Sequence, residues 1–418
     1  MMIQERACRV CKTPLASVFD LGTLALSSFP VGAGTLPEAP LDLCRCPVCG
    51  LVQLRHTVSP DALFRQYWYQ SSVNETMRAE LAHVVSDGIE HLGGLNDGDI
   101  VVDVGANDGT LLASYPTSVR RVAYEPALNL QAALQQHCNV QYAEYFPGMH
   151  LPEADSVSLL TSIACFYAVD DPMLFMRAVD DALLERGLWI VQFQDLHQLL
   201  EATAFDDICH EHLFYPGLAA IERLLETFDL CVVDAERRAV NGGSLRLTVG
   251  RRWRTVSPRV AEFRAIEAGC EGLEALGAFA RQAYGIRSKV RMHLQAKARH
   301  RQAVDLYGAS TKGNTLLQFC GIGPKEIRQA WERSPEKWGR RTVTGIPIVS
   351  EADGRKNPPA MLFVGIWQFR NAIVRREAEY LKGGGQLLFP LPHVETVMHG
   401  GSDVYESVSA HTDAAPAR

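Results

Sequence analysis

Between Phe205 and Tyr215 the chain reads Phe-Asp-Asp-Ile-Cys-His-Glu-His-Leu-Phe-Tyr, placing three acids, a thiol, two imidazoles and a phenol within eleven residues. This composition suits proton transfer. An imidazole has an ordinary pKa of about 6.5, near working pH, and an adjacent carboxylate orients it or raises its basicity. His210, Glu211 and His212 are therefore the candidate catalytic residues. On an extended strand His210 and His212 share one side and Glu211 takes the other, whereas a bend brings all three together. A second metal site is the rival functional reading, although the spacing lacks the i, i+4 histidine pair of a zinc-binding helix, and a merely structural loop is the plainer one.

A second constellation lies at Val101-Val102-Asp103-Val104-Gly105-Ala106-Asn107-Asp108-Gly109, where an apolar run meets small residues and acids. It reads as a strand-to-helix turn at a nucleotide-cofactor site, with Gly105 allowing a sharp bend and a helix opening near Thr110. A dinucleotide loop needs three glycines and a clear approach for pyrophosphate, which Asp103, Asn107 and Asp108 obstruct. S-adenosylmethionine fits better. It carries an ammonium and a sulfonium and no phosphate, so carboxylates and an amide can hold it by charge-assisted hydrogen bonds. Glu125 stands 20 residues beyond Gly105, after a further strand, where an acid binds adenosine ribose hydroxyls in such folds. The plainer alternative is a tight turn with aspartates as helix caps.

Cys8 and Cys11 form one two-residue-spaced pair and Cys46 and Cys49 another, followed by Gly50. Four thiolates suit a structural Zn²⁺ with no open coordination position. Cys44 competes with Cys46 for one place, and Cys46 is preferred because its spacing to Cys49 repeats that of the first pair. Leu15 to Ser28 and Leu36 to Leu43 must then form loops or short strands around the knuckles.

The elements that position these groups follow from periodicity. Ser59 to Leu92 is helical in pattern, with Leu63, Tyr67, Leu81, Val84, Val85 and Ile89 on one face, interrupted by Tyr67 to Asn74, whose polar tips are either core packing or the wall of a cleft. Strand candidates at Ile100–Val104, Arg121–Tyr124, Val140–Ala143, Ser156–Thr161 and Leu188–Gln192 alternate with helices, which predicts a parallel, doubly wound sheet. Ligands in such sheets lie beyond the strand C-terminal ends, so Gly105, Glu125, Phe146 and Ser162 to Cys165, including Ala164, should face one crevice. Phe146 either sandwiches adenine or is a core aromatic. After the turn and strand at Asn241 to Val249 and a charged helical stretch from Val260 to about Arg301, a second strand-turn-helix spans Ala303 to Asn314. Its Gly308-to-Asn314 turn, with Lys312, suits phosphate. Strands at Met361–Gly365 and Gln386–Phe389 flank a helix from Asn371 to Lys382, giving another small α/β unit.

The chain has 418 residues, 47% of them hydrophobic, enough for several cores. Its 41 basic against 48 acidic residues, with no basic block, argue against nucleic acid as a partner. No signal-peptide pattern opens it, and no apolar run approaches the ~20 residues of a membrane span. These features predict a cytoplasmic protein without membrane contact, in which most of the eleven cysteines are thiols or metal ligands.

Together these motifs resemble the three-domain sugar C-methyltransferases of deoxysugar biosynthesis, over nearly everything from Cys8 to about Val397. The marks are the cysteine knuckles with Gly50-Leu51-Val52-Gln53-Leu54, Val104 to Leu112, Glu211-His212, Gly242-Gly243-Ser244-Leu245-Arg246, Lys312-Gly313-Asn314-Thr315-Leu316-Leu317, Arg376 to Leu381 and Phe389-Pro390-Leu391-Pro392. The resemblance implies an α/β protein with a Cys₄ zinc-binding domain over 1–58, and a helical lead-in plus Rossmann-like S-adenosylmethionine domain over 59–238. Linker helices plus a C-terminal Rossmann-like nucleotide-sugar domain follow over 239–400, with a flexible tail over 401–418. The implied reaction methylates a carbon beside the ketone, often C3, of a nucleotide-linked 4-keto-6-deoxy sugar. His212 is the base and Glu211 orients it, with Tyr69, Ser72 or Asn241 on the sugar and Lys312 and Asn314 near the diphosphate. A monomer or small homo-oligomer is expected. Four places depart from the family pattern: Cys209 stands for tyrosine, Asn241 for histidine, Ala164 for asparagine, and Ile366-Trp367-Gln368-Phe369 for Pro-Trp-His-Phe. The competing readings are an NAD-dependent nucleotide-sugar oxidoreductase, a methyltransferase acting on a different small metabolite, and a zinc adaptor without catalysis.

Overall fold

The computed structural model describes residues 2–32, 34–240 and 242–404, which fold as two compact units. Among the described residues, the first contains 2–26, 37–200 and 208–277 without Asn241; the second contains 27–36 without Ala33, 201–207 and 278–404. Asn241 and residues 405–418 lie outside the described residues.

In the first unit a seven-stranded sheet runs edge to edge as Leu230–Arg238, Ser244–Arg251, Leu183–Gln194, Val157–Ile163, Ile100–Val104, Arg120–Tyr124 and Val140–Tyr142. The last five are mutually parallel. These are the five strands expected to be parallel, and the antiparallel Ser244–Arg251, with Leu230–Arg238 beyond it, makes the seven-stranded sheet mixed. The buried run Val101-Val102 shows why both faces are covered: Val101 joins the cluster of Leu81, Val84, Leu159 and Ile190, and Val102 the cluster of Leu160, Phe166, Trp189 and Ile221 on the other face.

The helix Glu75–Leu92 covers the first of these faces, capped by the Asn74 side chain at its start and by Gly93 with φ +81° at its end. Gly88 lets it approach closely, since a Cβ there would lie 2.6 Å from Ile190 Cδ1. The helix expected near Thr110 is absent. Only a 3₁₀ turn, Leu112–Ser114, forms there, because Tyr115-Pro116 ends the short connection and Pro116 cannot continue a helix.

The stretches around the cysteine knuckles form strands Ala16–Ala25 and Glu38–Arg45, paired antiparallel, with Val52–Leu54 beside the latter. A fourth strand, Phe214–Tyr215, comes from far along the chain and pairs with Val52–Leu54. It anchors the end of the Cys209–Tyr215 segment to the cysteine-bearing sheet.

The second unit has its own seven-stranded sheet, in the order Ile348–Ser350, Ala330–Glu332, Val304–Tyr307, Met361–Val364, Gln386–Phe389, Glu395–Met398 and Gly401–Val404. The first five are parallel and the last two antiparallel. Gly401–Val404 thus pairs as a strand within the stretch expected to be tail. The helix expected from Asn371 to Lys382 is two, Arg370–Arg376 and Ala378–Lys382, broken at Glu377, whose buried carboxylate binds Tyr307 and Arg355.

Candidate active site

At the C-terminal end of Ile100–Val104 the chain turns at Gly105, φ +72°, and the amides of Gly105 and Ala106 both donate to the Tyr124 carbonyl. Asn107 follows with φ +53°, a conformation that asparagine tolerates better than most residues. The turn is tied to the next strand by Glu125, whose carboxylate accepts from the amides of Asn107 and Ala127, each at 2.8 Å. Burial raises the Glu125 pKa, and those two amides oppose the rise.

Asp103 is 3% exposed and accepts from Thr161 Oγ1 at 2.7 Å. Desolvation pushes its pKa up to about 7. Asn107 and Asp108 are committed to protein: Asn107 accepts from the Ser71 amide and donates to the Tyr69 carbonyl, and Asp108 accepts from the Ser72 amide. These bonds dock residues 69–72 onto the turn.

Over the turn lies a cavity of about 420 Å³. Of the residues singled out by sequence, Tyr69, Asp103, Gly105, Asn107, Glu125, Phe146, Ala164, His210 and Glu211 line it; Asp108, Ser72 and His212 are absent from its wall. Phe146 combines both expected roles, facing the cavity while stacking edge-on against Tyr124 and Phe175 in the core. Asp103, Glu125, Glu144, Asp170, Asp171 and Glu211 are among the lining residues, and among the described residues no Lys or Arg lines the cavity. Asp170 is ion-paired with Arg6. The desolvated Asp103, with no cation on the cavity wall, fits the positive amino-acid end of S-adenosylmethionine and opposes a diphosphate.

Cys209 to His212 is a turn, not a strand, closed by the His212 amide donating to the Cys209 carbonyl at 3.1 Å. It brings the Cys209 thiol, a Glu211 carboxylate oxygen and a His212 ring nitrogen within 4.8 Å of one another. The His212 ring also stacks edge-on against Tyr167 at 4.4 Å. Desolvation raises the Glu211 carboxyl to about 7. His210 points elsewhere, its Nε2 donating to the Ala39 carbonyl at 2.9 Å, and burial lowers its pKa. Its ring stands at the cavity wall, where burial disfavours the charged form.

The sequence places Tyr67 on an apolar helical face, yet the first helix ends at Phe64 and Tyr67 lines the cavity. Burial, then the charges of Glu211 and Cys209, hold its phenol well above the usual range. The aromatic and polar mixture from Tyr67 to Asn74 was the available signal.

In the second unit the Lys312 ammonium is ion-paired with the buried Asp207. The Asn314 amide donates to Ser27 Oγ and to the Ser28 carbonyl, and its oxygen accepts from the Val343 amide. Both side chains are thus engaged within the unit.

The Sγ atoms of Cys8, Cys11, Cys46 and Cys49 lie within 4.8 Å of one another, with Cys8 to Cys49 at 3.6 Å and Cys11 to Cys46 at 3.2 Å. A tetrahedral ion with Zn–S bonds of about 2.3 Å needs sulfurs about 3.8 Å apart, so the donor set fits zinc. Cys44 is outside the group, with its thiol on the Asp42 carbonyl at 3.6 Å.

Comparison with known proteins agrees with this division of labour. Residues 8–64 match a zinc binding domain, 75–235 a methyltransferase domain and 239–392 a C-methyltransferase C-terminal domain. The C-methyltransferase NovU of Streptomyces niveus is 30% identical over 409 residues, covering 93% of this chain and 96% of NovU. The chain belongs to the three-domain C-methyltransferase family. As a member it is an S-adenosylmethionine-dependent C-methyltransferase, with the donor's fold in its central segment. Solved structures align over less of it. PH0226 from Pyrococcus horikoshii OT3 is 13% identical, covering 46% of this chain and 98% of its own at a TM-score of 0.37. The magnesium protoporphyrin IX methyltransferase of Synechocystis PCC 6803 is 11% identical, covering 42% and 79% at 0.33. Likenesses this slight carry no weight about substrate. Among the described residues, no helix is long and apolar enough to cross a membrane.

Proposed function

We propose that this C-methyltransferase alkylates a carbon beside the ketone of a nucleotide-linked 4-keto-6-deoxy sugar, with C3 the position chosen. The observation that carries the reading is the placement of Glu211 on the wall of the same cavity as Asp103, Gly105 and Glu125, with the His212 ring nitrogen within 4.8 Å of its carboxylate. A carbon next to a carbonyl becomes nucleophilic when a base removes its proton and the resulting enolate is stabilised.

In this reading the proton leaves toward the Glu211–His212 pair, with His212 the final acceptor and Glu211 holding it at the cavity. Glu211, raised to about 7, can take or return a proton near neutrality. The Tyr69 hydroxyl faces the sugar, with His210 fixed at the cavity wall by the Ala39 carbonyl. Asp103 and Glu125 hold the amino-acid and ribose ends of S-adenosylmethionine, Phe146 borders its adenine, and the positive-φ backbones at Asn107 and Ala164 shape its seat. When bound, that cofactor supplies an electrophilic methyl group. Ser72 and Asp108 support the site indirectly, by locking residues 69–72 to the turn. Cys8, Cys11, Cys46 and Cys49 would hold a structural Zn²⁺, which would stiffen the sheet to which Phe214–Tyr215 is paired and so the turn from Cys209 to His212.

The reading is tested by incubating the protein with S-adenosylmethionine and a panel of nucleotide-linked 4-keto sugars, then locating any added methyl by mass and NMR. Methylation at a carbon adjacent to the ketone is expected. Methylation on oxygen or nitrogen, or none across the panel, rejects the substrate class.

A further inference from the structure

The turn that carries the proposed base also carries a second set of metal-ligating atoms, distinct from the four-cysteine group. Because the His212 amide closes onto the Cys209 carbonyl, the first and fourth side chains of the turn come together with Glu211 beside them. Cys209 Sγ stands 3.9 Å from Glu211 Oε2. Thiolate, imidazole and carboxylate are the three ligand types that zinc takes, at about 2.3, 2.0–2.1 and 2.0–2.2 Å. Ligand atoms of one tetrahedral ion stand about 3.3 to 3.8 Å apart, so atoms within 4.8 Å of one another reach it by side-chain shifts of about 1 to 1.5 Å at most.

The ligand count matters as well. Three protein donors leave a fourth position open, and of the three residues Glu211 lines the cavity. The soft donor is Cys209, whose thiolate favours a thiophilic ion over a hard one.

We propose that Cys209, Glu211 and His212 form a three-ligand site for a thiophilic divalent cation of the zinc class, and that its occupancy prevents Glu211 and His212 from accepting a proton. On binding, the Cys209 thiol loses its proton to solvent. The thiolate, the carboxylate and the neutral imidazole each give a lone pair to the ion, replacing three of its waters, and no electron changes hands. Loss of proton transfer rests on the reading of Glu211 and His212 as the base; the metal site itself does not.

The test uses the full chain in equilibrium dialysis against buffered free Zn²⁺, with metal content measured per chain. Two zinc ions are expected for the native chain and one for Cys209→Ser, whose second binding constant should fall by more than tenfold. Glu211→Gln serves as a second variant should Cys209→Ser fold poorly, and zinc-edge anomalous scattering from native crystals should show a peak between Cys209 and His212. One zinc per chain in the native protein, or a second zinc bound equally well by Cys209→Ser, overturns the site. In parallel, solvent exchange of the substrate α-proton is followed with and without the second equivalent of zinc. Exchange halted in the native chain, and restored by removing that equivalent, supports the mutual exclusion. A second ion that binds through Cys209 while exchange continues leaves the site standing and overturns both the exclusion and the assignment of the base.

Discussion

Gly105 and Cys165 meet at adjoining strand ends so closely that a Cβ on Gly105 would lie 2.9 Å from Cys165 Cβ. Both residues line the cavity, so the turn is shaped jointly by a left-handed backbone and by this approach. Gly105→Ala adds a clash to a conformation that costs a side-chain-bearing residue about 1–2 kcal/mol. We predict at least a tenfold loss of S-adenosylmethionine affinity by calorimetry, with Gly98→Ala, which has open space around it at φ +83°, as the control for backbone strain alone.

Asp103 gives a pH dependence with a definite sign. Its folded-state pKa, raised to about 7, exceeds the ordinary value, so its contribution to stability is complete below about pH 4 and is lost as pH rises through 7. A bound cation reverses that preference by favouring the carboxylate. S-adenosylmethionine affinity should therefore weaken as pH falls below about 7, and Asp103→Asn should flatten the profile. Calorimetry from pH 5.5 to about 8.5 checks both.

The four-cysteine group should matter to catalysis without touching the cavity. Cys46→Ser, or removal of metal by a chelator, is expected to loosen the pairing of Phe214–Tyr215 with Val52–Leu54 and so to free the turn from Cys209 to His212. Hydrogen exchange should rise at the Leu54 amide, which donates to the Leu213 carbonyl, and turnover should fall. Cys44→Ser, altering a thiol outside the group, should leave exchange there unchanged.

Ala164 lines the cavity with φ +57°, a conformation unfavourable to alanine. Ala164→Gly should raise stability by about 1 kcal/mol, read as a higher midpoint in urea unfolding of the first unit.

The turn after Ile100–Val104 was legible because its residue types are demanded by the backbone itself: Gly105 and Asn107 adopt left-handed conformations, whereas the Glu125 carboxylate's bond to the Asn107 amide was not foreseen. The strands of the central sheet were legible for a similar reason, as runs such as Val101 to Val104 are buried. What stayed hidden depended on contacts distant in sequence. The pairing of Phe214–Tyr215 with Val52–Leu54 joins segments more than a hundred residues apart, and no local pattern signals it. The reversed strand Ser244–Arg251 has the same alternation whichever way it runs. Lys312 in a glycine-flanked turn looked suited to phosphate, but its partner is Asp207, whose burial could not be read locally. The turn at Cys209 was ambiguous between strand and bend, and that choice separates His210 from the Glu211–His212 pair.

The most direct test of the central claim is deuterium exchange at the substrate carbon beside the ketone, followed by NMR in D₂O with the methyl donor omitted. The native protein should exchange that proton, while His212→Asn and Glu211→Gln should each slow exchange by about 10²-fold or more. Cofactor affinity should stay within about twofold in both variants, since neither residue is assigned to the donor. Exchange at the native rate in His212→Asn, with the variant folded and binding S-adenosylmethionine, would contradict the account.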